Sequence, residues 1–462
     1  MRSIGEKCAV FGIYGKGLDV SRLTFFALYA LQHRGQESSG IATTDGKNIY
    51  CYKRNGLVAQ VFNEEIIRSL FGHCAIGHNR YSTSAGSDVK HAQPIEVDDH
   101  SIVLAHNGNL PTLKLLIKFL KSRGVTLTDI SDSKIITEAL HVLIKDGMKI
   151  EKAVEKIFPL MTGSFSLLIM TKDKLVAVRD QYGIRPLSIG KINGGYVFAS
   201  ETCAFHPIGA DDLGEVKPGE MVVVDSKGMH RKKIVKSKQK LDIFEFVYFS
   251  RPDSVLLGQS VYEVRKRFGL ELAYEHSISA DVVIPVPETA IPVAIGYASE
   301  TGLPFETGII KSRYINRTFI EPEQHIREQG VKLKLAPLHG VIDGKRVIVV
   351  DDSIVRGTTS RQIVKMLFDA GAKEVHFLVS SAPVKFPDFY GLDLPRQSDL
   401  LAAHRTIEQM RKHIGATSLN FLSYEGMIRA TMLEESLLCT SCFNGVYPID
   451  IGERKKEIKY KV

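Results

Sequence analysis

The stretch KRVIVVDDSIVRGTTSRQIVKMLFDAG, Lys345 to Gly371, decides how the second half of this chain folds. Its apolar, β-branched run Val347 to Val350 ends in two acids and reads as a buried parallel strand that meets a site. From Arg361 to Ala370, Ile363, Leu367 and Phe368 recur at helical spacing and Gly371 supplies a stop, so a helix follows. The polar turn DDSIVRGTTS sets Gly357 and the hydroxyls of Thr358, Thr359 and Ser360 at the helix N-terminus, where free N–H groups and the dipole favour an anion. A phosphate fits there. Asp351 and Asp352 repel phosphate, so their task is to accept hydrogen bonds from sugar hydroxyls or to help hold a hard cation. Together these groups point to a phosphorylated ribose. The plainer alternative is a strand, turn and helix with a charged loop, which leaves so many polar groups at one strand end without a purpose.

The string VVDDSIVRGTTS resembles, almost letter for letter, the ribose-phosphate motif of the type I phosphoribosyltransferases. That resemblance implies that Asp351, Asp352, Ser353, Arg356, Gly357, Thr358 and Thr359 bind phosphoribosyl pyrophosphate. Around it the pattern alternates: a helix near Tyr262 to His276, strand DVVIPVP, a helix near Ile291 to Thr301, then strand ETGIIK. Such alternation implies a parallel sheet with helices on both faces. Thr289 resembles the position that holds Mg²⁺ together with Asp351 and Asp352 in the related amidotransferases; a helix N-cap is the other reading. In KSRYINRTFIEPEQHIREQGVKLKL, Lys311, Arg313 and Arg317 lie without strong periodicity, as a basic lid closing on pyrophosphate requires. Lys311 and Arg313 are therefore expected at the phosphoribosyl pyrophosphate site. FPDFYGLDLP, Phe386 to Pro395, resembles the family's segment beside the sugar.

At 462 residues the chain has room for about three domains, or two larger ones. With 44% hydrophobic and 24% charged residues it can bury sizeable cores and need not be disordered. The net charge of +8 is spread out, which suits phosphorylated ligands better than nucleic acid. The RKK run from Arg231 reads as a solvated turn and ERKKEIKYKV as a solvated tail. No apolar run reaches the roughly eighteen residues of a membrane span, and MRSIGEK has no signal-peptide core, so a cytoplasmic protein is expected. Six scattered cysteines suit a reducing compartment.

Residues 8 to about 240 read as many short strands broken by turns, with helices at Ser21 to Leu31 and Ser131 to Asp146: a sheet-rich α+β domain. Cys8 opens the first strand. A cysteine there is commonly a small buried hydrophobe. If residues 1–7 are removed, however, its own α-amino group, with a pKa of about 8, serves as base to the thiol. The strings CAVFGIYG, LQHRGQESSGI, IGHNRYST, LAHNGNL, SDSK and RDQYGIRPLSIG then resemble, in order and spacing, the N-terminal nucleophile glutaminase domain of class II amidotransferases. By that resemblance the fold stacks antiparallel sheets between helices, Cys8 attacks the glutamine amide, and Asn107 with the Gly108 N–H stabilises the oxyanion. Arg80 grips the glutamine carboxylate, Asp132 pairs with its ammonium, and the loop around Arg34 closes over it. Lys134 stands where the family carries an acid.

The tail CTSCFNGVYP carries Cys439 and Cys442. Relatives with a [4Fe-4S] cluster take two further cysteines from segments where this chain has Asp242 and Asp388. That departure argues against a four-cysteine cluster and leaves an Asp-ligated cluster or none. The whole chain resembles the glutamine phosphoribosylpyrophosphate amidotransferases, which implies 5-phosphoribosylamine as product, in the committing step of purine synthesis. Glutamine and phosphoribosyl pyrophosphate are the expected partners, with purine nucleotides as feedback inhibitors and a homodimer or homotetramer as assembly. The expected division is a propeptide at 1–7, a glutaminase domain at 8–240 and a phosphoribosyltransferase domain at 241–462. Two alternatives stand beside this one: a glucosamine-phosphate or asparagine synthase, which lacks the VVDDSIVRGTTS site, and a ribose-phosphate sensor, which has no need of Cys8, Arg80 and Asn107 together.

Overall fold

The computed structural model describes residues 8–81, 91–127, 131–312, 334–392, 394 and 396–460. The expected propeptide, Arg313 and Arg317 lie outside them.

In the first half two antiparallel sheets lie face to face between helices. The seven-stranded sheet contains Ala9–Gly15, Cys74–Arg80 and Ser38–Thr44 at its centre, and the six-stranded sheet contains Val103–Thr112 and Thr162–Met170. Alternation along each strand builds three cores. Val10, Ile76, Val103, Ala105 and Leu168 fill the space between the sheets. Ala9, Phe11 and Ile13 turn outward onto the helix Val20–Ala30. Leu104, Leu167 and Ile169 turn outward onto Lys114–Ser122, Asp132–Lys145 and Ile150–Ile157. The period of two along the strands thus yields four layers from one alternation.

The second half centres on a parallel sheet in the order Val282–Pro285, Arg346–Asp351, Glu374–Val379, Ser418–Phe421. Val283, Ile348, Val350 and Leu378 face the helices Val261–Glu275 and Ile291–Thr301, whereas Val282, Val347, Val349 and Phe377 face Thr358–Asp369. Two glycines let the first pair of helices touch backbone to backbone: a Cβ on Gly269 would lie 1.9 Å from the Val293 carbonyl, and one on Gly296 would lie 2.1 Å from that of Lys266.

Two expectations are corrected. The RKK run is not a turn but part of the edge strand Gly228–Lys233, where Arg231 reaches Glu220 at 2.7 Å. The basic tail is not freely solvated: it forms a short helix at Gly452–Glu457, Ile451 is buried, and the Lys459 and Tyr460 N–H groups donate to Gln397 Oε1 at 2.7 and 2.9 Å. Charge counts miss this because the Lys459 and Tyr460 N–H groups, with the partly buried Ile458, do the anchoring.

Candidate active sites

Cys8 stands half-buried at the entry to the strand Ala9–Gly15, with a positive φ of 73°. In the ladder with Cys74–Arg80 the last pair is Ala9 opposite Asn79, so Cys8 and Arg80 follow one another beyond the same end. Ser200 ties this strand to Asn107: its Oγ accepts the Val10 N–H at 2.9 Å and the Asn107 Nδ2–H at 3.4 Å. Asn107 is fully buried in the strand Val103–Thr112. Gly108, next along, has φ 151°, and a Cβ there would lie 2.2 Å from the Ser164 carbonyl, so only glycine fits. Asp132 begins the helix Asp132–Lys145 and accepts the Leu110 N–H at 3.3 Å, which brings its carboxylate to the same strand. Strand pairing, the Ser200 hydroxyl and the Asp132 carboxylate thus link the four elements that carry Cys8, Arg80, Asn107 and Asp132. Ser200 gave no signal in sequence, because its hydroxyl matters only through two strands that packing brings together.

Arg34 is placed elsewhere. Its guanidinium is fully buried and donates to Glu245 at 3.0 and 2.8 Å and to Glu201, so two acids engage it. Glu201 also accepts from the Arg251 N–H at 2.8 Å and the Ser254 Oγ–H at 2.6 Å. Burial alone would raise the Glu201 carboxyl, yet His33, Arg34 and these hydrogen bonds hold it well below the usual carboxylate range.

At the second site Asp351 ends the central parallel strand and Gly357, with φ 75°, caps the helix Thr358–Asp369. The Thr289 Oγ–H donates to Asp352, and Ser353 Oγ donates to the other oxygen at 2.6 Å. Ala290, not Thr289, occupies the N-cap of Ile291–Thr301, so the Thr289 hydroxyl is left for the acid. Burial, and the Asp352 charge beside it, raise the Asp351 carboxyl; burial likewise raises Asp352 against the hydrogen bonds of Ser353 and Thr289. Two adjacent acids desolvated in this way suit a hard divalent cation, which would restore both to their charged form. Lys311 Nζ lies 3.8 Å from Glu288 in the loop after the strand Val282–Pro285, and Arg356 lies 3.6 Å from Asp399.

Cys439 and Cys442 are buried, and the parallel ladder sets Asp242 opposite Cys439. Asp242 accepts the Phe244 N–H at 3.0 Å, and Asp388 accepts those of Tyr390 and Leu392 at 2.7 and 2.8 Å. Burial, then the neighbouring acids, push both thiols upward. Asp242 and Asp388 stand where the cluster-bearing relatives carry cysteines, and both carboxylates are bonded to backbone N–H groups, so two thiols with two such acids do not fit a four-cysteine [4Fe-4S] centre. Phe389 meets the first half of the chain: Asn109 Nδ2 donates to its carbonyl at 2.8 Å.

The fold and the two sites define a glutamine-cleaving domain joined to a phosphoribosyltransferase. Residues 78–207 match the glutamine amidotransferase domain family and 269–383 the phosphoribosyl transferase domain family. Amidophosphoribosyltransferase from Synechococcus elongatus is 45% identical over 98% of this chain and 94% of its own length, and that from Bacillus subtilis 42% over 98% and 96%. The solved glutamine phosphoribosylpyrophosphate amidotransferase of B. subtilis, complexed with ADP and GMP, superposes with a TM-score of 0.89 at 41% identity, covering 96% of this chain and 98% of that one. The chain belongs to the amidophosphoribosyltransferase family, enzymes of glutamine-dependent amination of phosphoribosyl pyrophosphate in purine synthesis. Among the described residues no helix is long and apolar enough to cross a membrane.

Proposed function

We propose that Cys8 is the nucleophile, exposed with a free α-amino group by removal of residues 1–7, and that Asn107 and the Gly108 N–H stabilise the oxyanion of the tetrahedral intermediate. Arg80 and Asp132 hold the carboxylate and ammonium of glutamine. The single observation that carries this reading is the Ser200 hydroxyl, which binds both the strand leaving Cys8 and the Asn107 amide. A thiol and an oxyanion donor must be fixed relative to one another before substrate arrives, and a shared hydroxyl contributes to that.

In the second domain Ser353, Arg356, Gly357, Thr358 and Thr359 cradle the 5-phosphate and ribose, with Lys311 and Arg313 on pyrophosphate. Asp351, Asp352 and Thr289 would hold Mg²⁺, whose chemistry is to neutralise the departing pyrophosphate. Ammonia released at Cys8 passes internally to C1 of the sugar, since in water at neutral pH it would take up a proton and lose its nucleophilicity. The domains run 8–240 and 241–462. Purine nucleotides are feedback inhibitors, in line with the ADP and GMP bound by the B. subtilis relative. The enzyme works in the cytoplasm as a homodimer or homotetramer, without an iron–sulfur cluster.

The Cys8→Ala variant tests the division of labour. It is expected to lose glutamine-driven formation of 5-phosphoribosylamine and to keep ammonia-driven formation; retained glutamine use rejects Cys8 as nucleophile. An intact mass that includes residues 1–7 on fully active enzyme rejects the processing step.

A further inference from the structure

Asn109 follows the oxyanion pair directly, and nothing in the glutaminase chemistry above employs it. Its position is unusual mechanically. The ladder between Val103–Thr112 and Thr162–Met170 is regular through Gly108 opposite Phe165 and Asn109 opposite Ser164, then shifts register before Thr112. Just beyond the oxyanion residues, regular strand pairing therefore ceases to hold the backbone.

What holds it there comes from the second half of the chain. Asn109 Nδ2 donates to the Phe389 carbonyl at 2.8 Å. The Asn109 N–H donates to Ser164 Oγ at 3.3 Å, and that hydroxyl in turn donates to the Tyr390 carbonyl. Gly391 lies on Gly108 itself: a Cβ at 391 would be 3.6 Å from the Gly108 Cα and 3.7 Å from Arg185 Cδ. Three consecutive residues of the second domain thus brace the strand that carries Asn107 and Gly108. The brace is itself fixed, because Asp388 accepts the Tyr390 and Leu392 N–H groups and Tyr447 Oη donates to the Pro387 carbonyl at 2.7 Å. Asn107 needs such support: its Nδ2 bond to Ser200 is long at 3.4 Å, and its buried Oδ1 accepts no hydrogen bond among the described residues.

We propose that Asn109 and Ser164 are positioning residues of the glutaminase site, docking the oxyanion strand onto the Phe389–Gly391 backbone so that the phosphoribosyltransferase domain completes the oxyanion hole from behind. The inference rests on the assignment of Asn107 and Gly108 as oxyanion donors. Its consequence is that glutamine cleavage answers to the second domain through three named backbone groups.

The test uses the full chain and two assays: glutamate release from glutamine with phosphoribosyl pyrophosphate present, and 5-phosphoribosylamine formation from ammonia. Asn109→Ala is expected to lower kcat for glutamate release about tenfold or more, with the glutamine KM and the ammonia-driven rate within about twofold of the parent, because a displaced donor weakens only transition-state binding. Asn109→Asp, of equal size but without a donor toward Phe389, falls at least as far. Ser164→Ala is the milder companion, expected at about threefold to tenfold, and it carries the test if the position 109 variants fail to fold. Asn107→Ala serves as reference, with a loss of about a hundredfold or more. If Asn107→Ala falls that far while Asn109→Ala and Ser164→Ala stay within about twofold, the oxyanion assignment stands and the brace is overturned. If the ammonia-driven rate falls in step with glutamate release, the residues are merely structural and the brace is again overturned. An unaffected Asn107→Ala rejects the oxyanion assignment itself.

Discussion

Arg34 reaches across the seam between the two halves of the chain and holds both oxygens of Glu245, its Nη1 at 3.0 Å and Nη2 at 2.8 Å, with neither side chain exposed to solvent. Arg185 joins from the other side at 3.1 Å and Glu201 completes a cluster of two cations and two anions. Such a group is stable only while its charges balance, since each ion has given up its hydration.

Glu245→Ala therefore takes from two buried guanidiniums the carboxylate they share, leaving Glu201 to Arg34 and only Asp242, at 3.9 Å, to Arg185. The expected loss is about 3–5 kcal/mol, the range for breaking a buried pair by removing one partner. Chemical denaturation of parent and variant measures it, and a loss below about 1 kcal/mol would mean that water or a rearranged partner replaces the acid.

Asp352→Asn removes one of the two acids at the end of the parallel strand and keeps an oxygen for Thr289. The KM for phosphoribosyl pyrophosphate and the Mg²⁺ concentration for half-maximal rate are both expected to rise about tenfold or more. Glutamine hydrolysis without phosphoribosyl pyrophosphate should hold. A variant with an unchanged Mg²⁺ requirement removes Asp352 from the cation site.

Gly357 caps its helix at φ 75°, and a Cβ there would lie 2.7 Å from Leu401 Cδ2. Gly357→Ala is expected to cost about 1–2 kcal/mol from the left-handed conformation alone and to weaken phosphoribosyl pyrophosphate binding. Gly357→Asn should cost less, because asparagine tolerates that region better. Thermal unfolding of the two variants side by side decides it; equal costs would point to the Leu401 contact instead.

Asp180 is buried, and burial lifts its carboxyl to about 6 even though it accepts N–H groups of Tyr182, Phe165 and Ile184. A raised folded value means that the native state holds the proton more tightly than the unfolded chain. Its contribution is complete below the ordinary carboxylate value near 4 and is lost as pH rises through about 6, by about 3 kcal/mol in all. The stability difference between parent and Asp180→Asn should accordingly shift in the variant's favour between pH 4 and pH 7. A difference independent of pH would show that the carboxyl ionises normally.

Much of the fold is legible locally. The run Val347–Val350, the acids after it and the glycine stop describe a strand, a loop and a helix within one window, and the structure forms Arg346–Asp351 and Thr358–Asp369 there. Short helices such as Glu64–Ser69 and Ile150–Ile157 left no reading, because one or two turns carry too few repeats to separate a period of 3.6 from chance. Arg34 shows the limit for function: a motif names the loop, but the loop's cation is buried against acids 167 and 211 residues further on.

By itself the sequence determined the two chemistries and the sheet types, because strand alternation, turn residues and anion-binding helix starts are written in neighbouring positions. Only the tertiary structure decided which distant groups serve them. Thr289 on Asp352, Arg34 on Glu245 and Asn109 on Phe389 span 63, 211 and 280 residues. Such bonds form between surfaces that packing presses together, and local periodicity carries no record of which surfaces those will be.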